Sequence, residues 1–562
     1  MLSEPSAANK VADYEADTSF LGEWGRFQQR VFFLLCLSVI PNGLTGLSIV
    51  FWADTPAHRC MLPAHLNLSA AWRNSSIPLE EDASRGGDLV PSKCFRYKLE
   101  HLLNYSETGL LPGVDVNLSN VPKEGCLDGW EFDHSVYTST IVTEWNLVCD
   151  DSWKTPLTSS IFFCGVLTGS SISGQLSDRF GRKIALFGTL ALQGVSRFIQ
   201  IFSPNWTVFC VLYFIVGMGQ ISSYMVAFVL GVEILSFRAR TIFSTAGTNL
   251  FFCLGYMLLP LLAFYVRDWR TLILVLTLPS CLCLPLWWFI PESPRWLLSQ
   301  GRIEEAEAII RNAAEMNNIE PPAVIFSGHK LYDIFSRCTK LQNTLVIGYF
   351  ALSLNTSNLH GNVYFNCFLS ALVEIPAYVL SWAMFHWCSR RMSVFASLSS
   401  GGLFLLIIQL VPAHLVFLSI TFEMMGKFAV TTAFSVAYAY TAELYPTVLR
   451  NTAFGACSMA SRIGSIIAPF FIYLRTYYIY LPYILMGSLT TVAGLLSLLL
   501  PESFGMPLPE TISHMQQFPG CCQKTPYILT HTKEEGKAVE VRSLVRRSKS
   551  DFKQMSGDEA HV

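Results

Sequence analysis

"EILSFRAR", residues 233–240, returns as "ELYPTVLR", residues 443–450, with the acid and the final arginine at the same spacing 210 positions later. The match extends outward. Gly255 and Pro260 recur as Gly464 and Pro469, 209 positions on. "PESPRW" (291–296) closes a first series of apolar segments, and "PESFG" (501–505) closes a second. Three registers that agree within one position argue against coincidence. Two parallel six-helix halves are the architecture of a secondary transporter, with the substrate site between them near the midplane.

Composition agrees. Of 562 residues, 51% are hydrophobic and only 14% charged, against ~25% charged in an ordinary soluble chain. The apolar residues fall in blocks near 31–52, 155–175, 184–203, 206–230, 241–265, 271–290, 341–354, 361–385, 393–411, 414–440, 451–474 and 482–500. Most are close to the ~20 residues that a spanning helix needs. The expected organisation is an N-terminal segment (1–30), a first half (31–290) interrupted by a polar loop (53–152), a linking loop (291–340), a second half (341–505) and a polar, disordered tail (506–562). The N-terminal residues lack the apolar core of a cleavable signal, so the first span is expected to direct insertion.

Four cysteines (Cys60, Cys94, Cys126, Cys149) share the 53–152 loop with four sequons at Asn67, Asn74, Asn104 and Asn117. Together they mark an extracellular, glycosylated loop with two disulfides, whose pairing the spacing leaves open. Arginines and lysines concentrate on the other side: Arg179, Arg182, Lys183, Arg238, Arg240, Arg390, Arg391 and Arg450. The positive-inside rule therefore places both termini in the cytosol.

In "SMASRIGSIIAP" (458–469), Arg462 falls near the middle of the eleventh apolar block. A charge there costs ~2.5–3.5 kcal/mol on insertion scales, so it marks function by default. A guanidinium is a planar fork matched to a carboxylate. Its own helix offers no acid at the neighbouring turns. Glu374 and Glu423 are the deep acids on other spans; Lys427, four residues after Glu423, is expected to pair with it on one helix face. That leaves Glu374 as the structural alternative to a substrate carboxylate.

The remaining motifs carry a resemblance. "GQLSDRFGRK" (174–183) resembles the major facilitator signature, and "STIVTEWNLVCD" (139–150) resembles the organic ion transporters of solute carrier family 22. "FLGEWGRFQ", "IPNGLTGLS", "GMGQIS", "TAELYPTV" and "LPYILMGSLT" are similar to the organic cation/carnitine transporter subgroup. The resemblance runs from about Phe20 to Pro509. It implies an all-α major facilitator fold with twelve transmembrane helices. It further implies alternating-access transport of carnitine or related quaternary ammonium compounds across the plasma membrane, sodium-coupled for carnitine in some members.

On that reading Arg462 binds carboxylate, as the arginine at the matching position does in the family. A quaternary ammonium cannot donate a hydrogen bond, so aromatic faces are its ligand. Tyr224, which matches the family, and Tyr349, Phe350, Phe434 and Tyr438 are the candidates. Asn42, Gln220 and Ser223 resemble the family's sodium-linked residues, except that Asn is expected where Ser223 stands. A hydroxyl is the shorter, weaker ligand, which argues for a sodium-independent organic cation facilitator as the alternative. Asp178 is expected to meet the start of a helix in the opposite half, plausibly the eleventh, as a conformational latch. Arg182, Glu233, Arg240, Glu443 and Arg450, with Glu292 and Arg295 of "PESPR", are expected to form the inner gating network. "GVEILSFR" (231–238) lacks the Gly-Lys-Ser of a phosphate loop, which excludes ATP. No metal-ligand cluster, catalytic constellation or nucleic-acid signal is present, so no enzyme and no cofactor beyond a coupling Na+ is expected.

The chain departs from its relatives at the seventh span. Between Lys340 and Asn355 lie 14 residues, about 21 Å of helix, short of the ~30 Å hydrocarbon. A strained crossing, or a shortened and non-transporting form, is the expectation there. Residues 302–316 are expected to form a short amphipathic helix.

Overall fold

The computed structural model describes residues 18–63, 66, 68–82, 88–322, 349, 352–355, 362–412, 415–444, 462–474, 478, 480–498, 500 and 502. The first half holds α1 (Arg26–Gly46), α2 (Lys154–Phe180), α3 (Arg182–Gln200), α4 (Trp206–Ile234), α5 (Thr248–Tyr265) and α6 (Trp269–Cys283). α7 (Ile303–Met316) follows. The second half holds α8 (Val363–Trp387), α9 (Arg390–Ile407), α10 (Val416–Leu444), α11 (Arg462–Tyr473) and α12 (Leu481–Ser497). These helices match the apolar blocks. The seventh block is described only at Tyr349 and 352–355, so its short crossing lies outside the described residues, as does the tail.

Small residues let the helices approach. A Cβ on Gly43 would stand 2.0 Å from the Phe252 carbonyl oxygen, and one on Gly255 would stand 2.3 Å from that of Ile40. That lock joins α1 to α5, as small residues do between membrane helices. Gly402 and Gly487 do the same for α9 and α12. In the first half α4 packs on both α2 and α3; in the second, α10 packs on α8 and α9. α5 packs on α8, joining the halves.

One core runs across both halves on the side of the 53–152 loop, from Leu44 and Phe51 to Leu354, Tyr364 and Ala371. Phe51 stacks on Tyr364 at 5.4 Å, and the Tyr364 hydroxyl donates to the Val136 carbonyl. On the opposite, arginine-rich side the described cores belong to one half each. The molecule is therefore closed on the loop side. α7 buries Ala306, Ile310 and Ala313 against the first half, while Ile303 stays exposed. Asn317 then fastens its end to α1, accepting from the Phe27 amide at 2.9 Å and donating to Gln28.

The loop folds on three two-stranded antiparallel ribbons. Cys60 is bonded to Cys126 and Cys94 to Cys149, which resolves the pairing. Asn74, Asn104 and Asn117 are exposed, as glycan acceptors must be; Asn67 lies outside the described residues.

Candidate functional site

α4, α10 and α11 bring four of the expected residues together between the halves. Arg462 opens the described part of α11 and is 8% exposed. Its Nε is buried without a hydrogen-bond partner, and among the described residues no acid pairs with it. Tyr224 of α4 lies within electrostatic range of both Arg462 and Tyr438, and it hydrogen-bonds Thr248. Phe434 and Tyr438 are one turn apart on α10, with ring centroids 4.6 Å apart. Tyr224, Phe434 and Tyr438 are all half-buried, so each keeps ring surface accessible in the bundle interior. A guanidinium with an unbonded Nε near Tyr224, which in turn lies near the Phe434–Tyr438 pair, suits a carboxylate joined to an organic cation.

The acids fall differently from the sequence expectation. Lys427 does not pair with Glu423. Its Nζ sits 3.1 Å from Glu374 Oε1, with side chains 2% and 0% exposed. Glu423 instead accepts from Asn355 and from the Tyr483 hydroxyl, each at 2.9 Å. The spacing of four does put both α10 residues on one face. One turn along the axis, however, they meet different neighbours: α8 for Lys427, and residue 355 with α12 for Glu423. Glu374, the alternative partner for Arg462, is thereby taken by Lys427.

Tyr349 also departs from expectation. It is buried, stacked on Phe434 at 5.3 Å, and its hydroxyl donates to Glu374 at 3.0 Å. It braces the wall rather than offering a free ring. Phe350 lies outside the described residues. Sequence reasoning missed Tyr256, Ser370 and Tyr378, which surround the pair; Ser370 and Tyr378, four residues before and after Glu374, carry a spacing signal, and Tyr256 carries none.

Asn42, Gln220 and Ser223 do converge. Gln220 Nε2 donates to the Asn42 carbonyl at 2.8 Å, and Ser223 Oγ stands 3.4 Å from Asn42 Oδ1. Gln220 Oε1 is buried with no donor. An acceptor left without a donor fits a cation, and these hard oxygens suit one such as Na+. Among the described residues no carboxylate contacts the three side chains, so affinity there rests on neutral oxygens alone.

At the arginine-rich side, Arg182 gathers the motif. Its Nε and Nη2 reach Glu233 at 3.1 Å each, and its Nη1 reaches Asp178 at 2.6 Å. Glu292 accepts from the backbone amides of Arg182 and Lys183, capping α3 where the helix dipole favours an anion. Glu502, 210 positions later, accepts from the amides of Arg390 and Arg391 at the start of α9. The repeated "PES" is thus a repeated helix cap, a role the sequence reading did not assign. Asp178 is 71% exposed and paired only within its own half among the described residues. The start of the eleventh span, its expected latch partner, lies outside them, as do Arg450 and the side chain of Glu443. Among the described residues no bond ties Arg240 or Arg295 to Arg182, Asp178, Glu233 or Glu292; Arg240 donates to the Leu235 carbonyl.

On the loop side Asp54 is partly accessible and accepts from the Tyr137 hydroxyl at 2.9 Å. Burial outweighs that bond and pushes its carboxyl up to about 6. An acid so raised favours the closed arrangement when protonated. That stabilisation is complete below the ordinary carboxylate range and is lost as pH rises through about 6. Acidifying the loop side from pH 7.4 to 5.5 should therefore hold it shut and slow uptake about threefold. Asp54→Asn should flatten the profile; a variant that keeps the full pH dependence would clear Asp54 of the role.

The family model described as sugar (and other) transporter matches residues 108–347. Organic cation/carnitine transporter 2 from Mus musculus is 54% identical, over 94% of this chain and 98% of that one. Solute carrier family 22 member 4 from Mus musculus is also 54% identical, over 94% and 99%. Among solved structures, a partially occluded inward-open conformation of the xylose transporter XylE from E. coli aligns with a TM-score of 0.54 at 13% identity, covering 86% of this chain and 100% of that one. At that identity the likeness shows the fold alone, which is that of the major facilitators.

Proposed function

Because this chain belongs to the organic cation/carnitine transporter subgroup of solute carrier family 22, within the major facilitator superfamily, we propose that it moves carnitine or a related quaternary ammonium zwitterion across the plasma membrane by alternating access. The chain is a multi-pass membrane transporter and not an enzyme. The observation that carries the substrate reading is Arg462: a buried guanidinium with no acid on it among the described residues, within electrostatic range of Tyr224, which is itself within range of Tyr438 of the Phe434–Tyr438 pair. Carboxylate binds the fork, and the trimethylammonium lies against the rings. The loop side is taken as extracellular and glycosylated, and the arginine-rich side as cytosolic. Rocking of the halves about the site then exposes it to each side in turn.

Sodium enters as a modest effector. Asn42, Ser223 and Gln220 would hold Na+ through neutral oxygens, and the ion would brace α1 against α4 beside Tyr224. With Ser223 the weak ligand, uptake of labelled carnitine in expressing cells is expected to fall only about threefold when sodium is replaced. Complete sodium dependence would overturn that ranking and make Ser223 an adequate ligand. Surface expression with no uptake of any quaternary ammonium, in either medium, would overturn the transport reading and favour the non-transporting alternative.

A further inference from the structure

Arg197 is the only charged residue between Lys183 and Glu233. It lies one turn before the loop-side end of α3 and is 2% exposed. Its Nε and Nη1 are buried and make no hydrogen bond among the described residues. The helices packed on α3 bring no acid to it. α6 carries none, and the acids of α2 and α4, Asp178 and Glu233, are both bonded to Arg182. Arg182 stands 15 residues earlier on α3, about 22 Å along the helix. At the loop-side end, Glu144 is held by Arg270 and by the Trp269 indole. A guanidinium does not give up its proton inside a protein, and an unpaired buried charge is costly.

Two further donors accompany it. Gln200 follows three residues later on the same helix face, and its Nε2 is buried with no acceptor. The Tyr213 hydroxyl of α4 is within electrostatic range of Arg197, and it too is buried and unbonded among the described residues. Packing holds that phenol in place: its ring stacks on Phe162 at 4.6 Å and meets Trp52 edge-on at 5.1 Å. Gln193, four residues before Arg197, donates its Nε2 to Thr45 and leaves Oε1 buried without a donor. That oxygen repels negative charge, so the acceptor this cluster calls for belongs on the Gln200 side of the guanidinium. Water satisfies donors but leaves the charge; an anion answers both.

We propose that Arg197, Gln200 and Tyr213 bind a small monovalent anion, chloride, inside the first half. One negative charge balances the guanidinium, and the amide and phenol complete the shell. A divalent anion would reverse the imbalance rather than remove it. The ion ties α3 to α4, the helix that carries Gln220 and Tyr224. The site is separate from Arg462 of α11, and it stands whatever substrate the protein carries. The competing account is an arginine solvated by water alone, whose fold is indifferent to the identity of the anion in solution.

The test is the melting temperature of the purified full-length chain in sodium chloride and in sodium gluconate at equal ionic strength. For a dissociation constant of roughly 10 mM, roughly 150 mM chloride multiplies the folded-to-unfolded ratio about 16-fold. The melting temperature should then rise by about 2 °C, saturating with chloride concentration. Arg197→Gln is expected to abolish the response and to melt above the wild type in gluconate, because it strands no charge. Tyr213→Phe keeps the ring packing and removes one donor, so its half-saturation should rise about tenfold. It carries the test should Arg197→Gln fail to fold. Arg462→Gln should keep the response, which separates this site from the other buried guanidinium. A wild type that melts equally in both salts overturns the proposal. So does a full response in Arg197→Gln, an unmoved half-saturation in Tyr213→Phe, or a response that vanishes in Arg462→Gln. Arg197→Gln melting below the wild type in gluconate assigns the arginine to structure alone and overturns it too.

Discussion

Arg462→Gln is expected to lower carnitine uptake about 100-fold while raising, not lowering, the thermal stability of the substrate-free protein. Truncating one side of a buried, hydrogen-bonded charge pair costs ~2–5 kcal/mol of binding, and tenfold corresponds to about 1.4 kcal/mol. The stability half of the expectation follows from the unbonded Nε. A buried charge without a partner is a cost to the resting fold. Arg462 is 8% exposed, with its Nε unbonded and no acid on it among the described residues. A neutral amide removes that cost. Uptake of a simple cation such as tetraethylammonium, which has no carboxylate to lose, should change less than about threefold. The two readouts separate the accounts. A guanidinium engaged in an internal ion pair would give the opposite sign, since its removal would strand the partner and lower the melting temperature. Unchanged carnitine uptake in the variant would end the carboxylate role altogether.

How far these conclusions were legible beforehand depends on how local the signal is. The helices followed from apolar blocks, because in hydrocarbon every backbone group must be satisfied within its own segment. Arg462, Asn42, Gln220 and Ser223 were visible as polar residues in apolar surroundings, and the structure brings the last three together. The partner of Lys427 was not visible. Spacing on α10 favoured Glu423, yet the choice was made by α8, whose approach is set by tertiary packing. Tyr349 failed for the same reason. Nothing in its neighbourhood in the chain shows that its hydroxyl is committed to a carboxylate 25 residues away. Disulfide pairing was equally out of reach, since the loop ribbons decide which sulfurs meet. The cap made by Glu502 was half legible. The repeat announced it, but only the contact of Glu292 with the α3 amides gives the repeat its physical meaning.

Arg182→Leu carries the largest expected effect on folding. The guanidinium reaches Glu233 through two bonds of 3.1 Å, with side chains 9% and 14% exposed. It also donates to the Ser177 carbonyl at 2.9 Å, tying the end of α2 to α3 and α4. Its bond to Asp178 is shorter, at 2.6 Å, but that carboxylate is 71% exposed and water replaces the partner at little cost. The Glu233 side therefore dominates. Leucine would leave that carboxylate half-buried and unpaired, destabilising the full-length protein by ~3 kcal/mol, the lower end for a broken buried pair. Surface abundance should fall with it. Adding Glu233→Gln should recover much of the loss, because a neutral amide tolerates the site where an uncompensated charge does not. Equal melting temperatures for the single and double variants would show that Glu233 is not what Arg182 holds. Asp178→Asn makes the informative contrast. Since Asp178 adds little to stability with the loop side closed, its neutralisation should leave the melting temperature unchanged. Its exposed carboxylate is then free to meet the other half when the arginine-rich side closes, so the same variant should slow the transport cycle. Carnitine exchange at wild-type rate in Asp178→Asn would remove it from the latch.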